Sequence, residues 1–205
     1  MIEQVCRKER QYGMKIREIA ETKRKAKEWF ASYTADYDME DPKIALKAVH
    51  TYHVAELCQT IAESLALNEV ECMAAWLSGL LHDVGRFEQI RRFNTFSDAD
   101  SIDHALLSTE ILFGTKEDAS CGRIRQVILD PSWDIYLYKA IKYHSAYRLP
   151  PDLSEMEKTY CQILRDADKI DIFRVNLETP MEDIYNTTTE TLKQAEVTSE
   201  VLQAF

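Results

Sequence analysis

The chain has 205 residues, which suits one domain with a substantial core and does not require two. Hydrophobic residues make up 45% and charged residues 29%, with five glycines and five prolines, a composition typical of a globular helical protein. The longest apolar run, residues 74–81, is much shorter than the roughly 20 residues that span a bilayer, so we expect no membrane association. The net charge of −10 argues against general nucleic-acid binding, because contacts with phosphates require positive charge.

The cysteines and the first residues predict a cytoplasmic location. The five cysteines are odd in number, widely spaced and free of any Cys-x-x-Cys pair, a pattern that favours reduced thiols in a core. They are Cys6, Cys58, Cys72, Cys121 and Cys161. The first ten residues lack the apolar segment of an export signal, so we expect no export.

Apolar residues recur at helical spacing along the whole chain, and no alternating strand pattern of any length is present. We therefore expect an all-α bundle of roughly seven to nine helices. The predicted helices cover about residues 2–33 (with a break near Gly13 as an alternative), 42–67, 69–82, 101–113, 117–129, 132–144, 154–173 and 181–205. Residues 86–100 form a long link, which we interpret as a lid or an excursion near a site.

Four of these helices have recognisable starts. Asp41-Pro42 places a proline at the first helical position, and the segments 68–71 and 154–157 resemble capping boxes. Ser132 is the expected cap of the helix after Pro131. The residues expected to face inward include Val49, His50, His53 and Leu65 on the second helix, Leu129 later, and Ile170 and Phe173 near the end of the helix from residue 154.

The stretch 76–88 carries the strongest chemical signal. An apolar helix leads directly to His82 and Asp83 and is expected to break at Gly85. The C-terminus of a helix carries partial negative charge and favours a cation nearby. An imidazole and a carboxylate are suitable ligands for a divalent metal ion. His82 and Asp83 are therefore candidate metal ligands. For this pair taken alone, the alternative is a partly buried, hydrogen-bonded histidine followed by a loop aspartate.

Further histidines and aspartates lie on other predicted helices. The first of these helices carries His50 and His53, three residues apart, and the spacing alone does not decide between them. Asp166 and Asp168 both lie among apolar positions, and a buried carboxylate needs a partner. Two more histidines, His104 and His144, lie between these segments on apolar helical faces.

Three segments together resemble the HD-domain superfamily of metal-dependent phosphohydrolases. They are His50-Thr51-Tyr52-His53-Val54-Ala55, Leu80-Leu81-His82-Asp83-Val84-Gly85-Arg86 and Leu164-Arg165-Asp166-Ala167-Asp168-Lys169-Ile170-Asp171. The resemblance covers about residues 42–175 and implies an HD-domain-like helical bundle. It also implies one domain over residues 1–205, with an N-terminal helical extension (1–41), an HD core (42–175) and C-terminal helices (176–205).

The resemblance assigns roles to these residues. It implies that His50, His82, Asp83 and Asp168 coordinate one tight divalent ion (Mn, Mg, Fe, Ni, Co or Zn), so that His50 is chosen over His53 and Asp168 over Asp166. His104 and His144 are expected either at a second metal ion, with Asp83 as a bridge, or at a substrate phosphate. The expected catalytic residues are Asp83, Glu88 and Lys169. The candidates for holding a phosphate are Arg86, Lys142 and Arg148, with Arg91, Arg92 and Lys169 as further cations.

The expected activity is hydrolysis of a phosphoester of a small metabolite or nucleotide by a metal-activated water. The chain lacks the Gly-Tyr-Pro motif of the cyclic-dinucleotide phosphodiesterases of that superfamily, so their substrate is not transferred. The alternatives are a non-catalytic regulatory module that binds a metal or a nucleotide, and an oxidative di-iron enzyme. The expected partners are a small phosphorylated substrate and, as one option, a second copy of the chain.

Overall fold

The computed structural model describes residues 2–115, 117–185, 187–194 and 196–203, without the side chains of residues 2–16, 119, 200 and 201. These residues form eleven α-helices and no strand, so the predicted all-α bundle is confirmed. Four helices of four or five residues bring their number above the predicted range. The helices are α1 (Ile2–Thr34), α2 (Pro42–Ser64), α3 (Glu69–Leu81), α4 (Val84–Phe93), α5 (His104–Phe113), α6 (Ile124–Val127), α7 (Asp134–Tyr143), α8 (Glu155–Glu178), α9 (Met181–Tyr185), α10 (Thr189–Lys193) and α11 (Ser199–Gln203).

Local side-chain hydrogen bonds fix the starts of the long helices, as predicted. Asp41 caps α2 by accepting a hydrogen bond from the backbone of Lys43, and Pro42 occupies the first turn. Asn68 opens α3 and Ser154 opens α8, each in a complete capping box. The backbone N–H groups that have no partner inside a helix are thus satisfied by neighbouring side chains.

Helix α3 is the centre of the bundle. Every residue from Cys72 to Leu81 is buried, and α1, α2, α7 and α8 all pack against this helix. A Cβ atom on Gly79 would lie 2.6 Å from the Cα of Ala55, so α2 and α3 approach at this point as closely as their backbones allow. The end of α3 is thereby held deep inside the protein. Helix α1 joins the same core through Ala26, Phe30 and Tyr33.

The helix break near the His-Asp pair differs from the prediction. Helix α3 ends at Leu81, and α4 already begins at Val84, so Gly85 lies inside a helix. A Cβ atom on Gly85 would lie 2.5 Å from the carbonyl oxygen of His104. The glycine is therefore required by close packing of α4 on α5. The link begins at Asn94, in a left-handed conformation, and is shorter than the predicted 86–100.

The region 117–133 also departs from the prediction. Only α6 and two short 3₁₀ turns form there, and α7 starts at Asp134. The 3₁₀ turn that begins at Pro131 is capped by Asp130 and not by Ser132. A side-chain oxygen of Asp130 accepts a hydrogen bond from the backbone N–H of Ser132. Leu129 is 77% exposed, because the short α6 leaves it outside the core.

Several residues expected to face inward are exposed. These are Val49 and His53 on α2, Leu65 directly after α2, and Ile170 and Phe173 on α8. The buried stripe of α8 instead continues from Ala167 through Asp171 to Val175 at four-residue spacing. The apolar residues beside this stripe remain in contact with solvent.

The cysteines are mostly buried, as expected. Cys58, Cys72 and Cys161 are buried free thiols, whereas Cys121 is exposed. The side chain of Cys6 lies outside the described residues. None of the described helices combines the length and the apolar composition needed to cross a membrane.

The contact of Gly79 with α2 predicts a destabilising Gly79→Ala substitution. Helix propensity alone would favour alanine by about 1 kcal/mol. Because the new methyl group would collide with backbone atoms of Ala55, we expect the free energy of unfolding to fall by about 1–3 kcal/mol. Urea unfolding measures this change. Thr60→Ala, on an exposed part of α2, is the control and should change stability by no more than about 0.5 kcal/mol. A more stable Gly79→Ala protein would contradict the close approach of α2 and α3.

Candidate metal centre

Four helices and the turn between α3 and α4 bring six polar side chains together in the centre of the bundle. Five of these residues are at most 3% exposed, and the side chain of the sixth, Asp168, is 13% exposed. They are His50 from α2, His82 and Asp83 from the α3–α4 turn, His104 from the start of α5, His144 from the end of α7, and Asp168 from α8. Ionisable groups are rarely buried without a partner, so this cluster requires a chemical explanation.

The first group of donor atoms contains His50, His82, Asp83 and Asp168. The Oδ1 of Asp168 lies 3.1 Å from the Nε2 of His50 and 3.7 Å from the Nε2 of His82. The Oδ2 of Asp83 lies 3.3 Å from the Nε2 of His82 and 3.8 Å from the Nε2 of His50. His50, His82 and Asp83 alone already place three ligand atoms within 4.8 Å of one another. Two imidazoles and two carboxylates thus surround one small volume.

The second group contains Asp83, His104 and His144. The Oδ1 of Asp83 lies 3.6 Å from the Nε2 atom of each histidine. The two Nε2 atoms are 3.0 Å apart. Asp83 therefore directs one carboxylate oxygen to each group, which is the arrangement of a carboxylate that can bridge two ions.

Two of the histidines are held by backbone carbonyls. The Nδ1 of His82 donates to the carbonyl of Gly79, and the Nδ1 of His144 donates to the carbonyl of Ile141, both at 2.7 Å. Each acceptor lies three residues earlier, in the last turn of α3 or α7, where carbonyl groups have no partner within the helix. A proton on Nδ1 leaves Nε2 of the neutral ring as an electron-pair donor.

The other two histidines are held by carboxylates. His50 contacts Asp171 through its Nδ1 at 2.7 Å, and His104 contacts Asp98 through its Nδ1 at 2.6 Å. Burial has the largest influence on His104 and lowers the pKa of its imidazole to about 4. Burial acts to raise the pKa of Asp98, but the hydrogen bond from His104 helps to outweigh it, and the pKa of this carboxyl is lowered to about 2. A neutral His104 donates to an ionised Asp98 at neutral pH. Metal-binding histidines are commonly oriented in this way by an outer carboxylate.

These tautomers leave unpaired electron pairs inside the protein. The Nε2 of His82 and the Oδ1 of Asp83 are buried and have no hydrogen-bond partner. The Nε2 atoms of His104 and His144 face each other although neither carries a proton in the tautomers described above. A cation between these atoms would satisfy all of them. The mixture of imidazole and carboxylate donors fits a divalent first-row metal ion.

The charge of the cluster also affects His82. Burial is the largest influence and acts to lower the pKa of this imidazole, but the carboxylates of Asp83 and Asp168 together outweigh it and raise the pKa to about 9. A proton on Nε2 therefore competes with a metal ion for the same electron pair. Metal binding at this position must release that proton.

Two cations adjoin the carboxylate of Asp83. The Nζ of Lys47 lies 2.7 Å from Oδ2, and the Nε of Arg86 lies 3.8 Å from Oδ1. Arg86 was among the predicted phosphate-binding residues, whereas Lys47 was not. Its position one helical turn before His50 on α2 was the signal that could have identified it, because residues three apart share a helix face.

The structure separates the residues that the spacing left ambiguous. The side chain of His53 is 47% exposed, and its Nδ1 lies 3.2 Å from the outer carboxylate of Asp171. Asp166 is exposed, whereas Asp168 faces His50. The positions of His50 and Asp168 agree with the choice implied by the resemblance. Their role as ligands remains a prediction.

The remaining predicted site residues lie elsewhere. Glu88 is buried but pairs with Arg91 and Arg92, away from the donor atoms. Lys169 is exposed, and its Nζ is 3.5 Å from the carbonyl of Arg165. Lys142 lies against the rings of Tyr138 and Tyr143, and Arg148 lies against Tyr147 and is exposed. Geometry thus gives none of these side chains a place at the cluster.

Two residues that position histidines of the cluster received no role in the sequence analysis. Asp171 follows Asp168 by three residues on the same face of α8, and it also receives two hydrogen bonds from Arg174. Asp98 belongs to the link before α5, and it accepts hydrogen bonds from Arg86 at 2.9 Å as well as contacting His104. The helical spacing of Asp171 was readable from the sequence. The contact of Asp98 depends on how the link folds back.

Substitutions at matched positions test the ligand assignment. His50→Ala should reduce the bound metal because an Nε2 donor is lost, whereas His53→Ala on the same helix should not. Asp168→Asn should likewise reduce the bound metal, whereas Asp166→Asn should not. Metal content after gel filtration measures the effect. Equal metal loss in both members of a pair would show that the group of donor atoms is assigned wrongly.

The raised pKa of His82 predicts a pH-dependent metal affinity. Because the imidazole keeps its proton up to about pH 9, the apparent affinity should increase about tenfold for each pH unit between 6.5 and 8.5 and level off above the pKa. Competition with a metal indicator dye measures the slope. His53→Ala should show the same slope. An affinity that is independent of pH over this range would contradict a protonated His82.

Comparison with known proteins agrees with this geometry. A family model described as the HD domain matches residues 48–172, which is more than half of the chain and includes all six residues of the cluster. No curated protein and no solved structure gave a significant match. The HD-domain family consists mostly of metal-dependent phosphohydrolases. The chain therefore belongs to the HD-domain family.

Proposed function

We propose that the protein is a cytoplasmic, metal-dependent phosphohydrolase that cleaves a phosphoester of a small metabolite or nucleotide. The observation that carries this proposal is the position of Asp83, whose carboxylate lies between two groups of histidines and next to Lys47 and Arg86. Electron-pair donors for a metal and cations for a phosphate thus adjoin the same carboxylate. The buried free thiols are in keeping with a reducing compartment.

Four side chains would hold the tight metal ion: His50, His82, Asp83 and Asp168. A divalent ion bound there would act as a Lewis acid, which lowers the pKa of water from about 15.7 towards about 7 and offsets the charge of a phosphoryl oxygen. The Nδ1 atoms of His82 and His50 already contact their outer partners, so the Nε2 atoms face the metal position. Binding therefore needs no reorientation of these rings.

The cations of the site would bind the phosphate. The protein carries a net charge of −10, so an anionic substrate is repelled at most of its surface. Lys47 and Arg86 supply local positive charge next to Asp83, and both side chains are only about 15% exposed. Hydrogen bonds from buried cations to phosphate oxygens are strong because water does not compete effectively for them.

We propose one tight ion and a weaker second site. The second group consists of Asp83, His104 and His144. Within the part of the chain that the structure describes, Asp83 is the only carboxylate of this group, and its Oδ1 lies 3.6 Å from each Nε2 atom. Asp98 is engaged behind His104 and does not face the Nε2 atoms. With fewer anionic ligands, the second site should fill only at higher metal concentration.

A metal titration combined with a panel of phosphomonoesters and nucleotides tests this function. We expect one tight equivalent of metal, and hydrolysis that appears at this stoichiometry and is lost in His82→Ala. The matched His53→Ala variant should retain the activity. Full metal occupancy without any hydrolysis would favour a non-catalytic module. Two equally tight equivalents, both lost on His104→Ala or His144→Ala, would establish a binuclear centre and favour oxidative chemistry.

A further inference from the structure

A cavity of about 350 Å³ opens beside the metal centre. It reaches the cluster at His50 and Lys47 and extends outward between α2, the link after α4, α8 and α9. The short helix α9, which follows the matched family segment, forms part of its wall. The lining residues are Leu46, Lys47, His50, Arg86, Thr95, Phe96, Ser97, Ile172, Val175, Asn176, Ile184 and Tyr185.

The inner end of the cavity is positively charged. The ring of Phe96 lies 5.4 Å from the Nζ of Lys47 and 5.9 Å from the guanidinium carbon of Arg86, so it holds both cations at the same end. Arg86 is further fixed by a 2.6 Å hydrogen bond to the carbonyl of Phe96. Lys47 carries three N–H donors, and Asp83 is its hydrogen-bond partner at 2.7 Å. Donors therefore remain for an anion bound in the cavity.

The outer end of the cavity is mostly apolar. Leu46, Ile172, Val175 and Ile184 form walls from α2, α8 and α9. Such a surface stabilises a ring or another apolar group by removing it from water.

The polar side chains of the outer wall are already hydrogen-bonded to other protein groups. Tyr185 donates to Asn176 at 2.9 Å, and Ser97 donates to Asp100 at 2.6 Å. Thr95 accepts from the backbone of Ser97 at 3.1 Å. A ligand covered with hydroxyl groups would lose hydrogen bonds to water in this cavity and would find few replacements.

We propose that this cavity selects phosphate monoesters whose organic group is a mostly apolar, ring-containing body no larger than a nucleoside. The inference rests on the proposed hydrolysis and names its substrate class. The phosphate would lie at Lys47 and Arg86, and the ring would lie between Phe96 and the wall formed by Ile184. The volume is near the lower limit of ligand cavities, about 300 Å³, so the cavity has room for one small body.

Binding of phosphonates to the full-length protein tests this inference without any turnover, because a P–C bond is not hydrolysed. Three probes share the anionic group: methylphosphonate, benzylphosphonate and 2,3-dihydroxypropylphosphonate. Calorimetry with the Mn²⁺-loaded protein should show benzylphosphonate binding about tenfold tighter than the other two, because only its ring buries apolar area. Equal affinities, or tighter binding of the hydroxylated probe, would overturn the proposal.

Variants separate the two ends of the cavity. Lys47→Met should weaken all three phosphonates by about tenfold or more through loss of a charged donor. Lys43→Met, one turn earlier on α2 and outside the cavity lining, should leave all three unchanged. Ile184→Trp fills the outer end and should remove the advantage of the ring without affecting methylphosphonate. Ile172→Trp repeats this test from α8 if Ile184→Trp fails to fold.

The outcomes distinguish this inference from the proposed function. If no phosphoester is hydrolysed but the ring preference and the effect of Lys47→Met are observed, the hydrolytic function fails and the cavity assignment stands. Suppose that hydrolysis is found. If Lys47→Met then leaves the phosphonate affinities unchanged, as Lys43→Met does, or if Ile184→Trp does not alter the ring preference, the cavity assignment fails and the hydrolytic function stands.

Discussion

The burial of the Asp83 carboxylate is the constraint on which the rest of the site depends. An ionised carboxylate inside a protein costs several kcal/mol unless positive charge and hydrogen bonds compensate it. Burial acts to raise the pKa of Asp83, but His82 and Lys47 hold it well below its usual range. The group therefore stays ionised and attracts cations. The packing of α3 at the centre of the bundle places this charge where water cannot screen it.

An outer layer of hydrogen bonds determines which atoms the histidines present to the interior. Each of the four imidazoles is held at Nδ1, two by backbone carbonyls at helix ends and two by the carboxylates of Asp98 and Asp171. All four Nε2 atoms consequently converge on Asp83 or Asp168. Such preorganisation means that a metal ion would meet donors already in position, at little cost in reorganisation. The outer partners are as much a part of the site as the ligand atoms.

The same arrangement links the metal centre to the cavity beside it. Lys47 contacts Asp83 on one side and borders the cavity on the other, and Arg86 connects Asp83 with the link through Phe96 and Asp98. Two cations are therefore held beside Asp83 at the point where the metal centre meets the cavity. A phosphate would be attracted to this point, and the apolar wall beyond it would determine which phosphoesters fit.

The sequence by itself determined the helical class, the caps of α2, α3 and α8, and the segments that carry His82 and Asp83, because these features depend on residues close together in the chain. It did not show that Ile170 and Phe173 would be exposed, or that Gly85 would lie inside a helix against His104. Those outcomes depend on which neighbour packs against each face. The helical spacing of Lys47 from His50 was readable from the sequence. Only the tertiary structure decided that Lys47 meets Asp83 and that Asp98 meets His104, because contacts between separate helices and links are not encoded in local spacing.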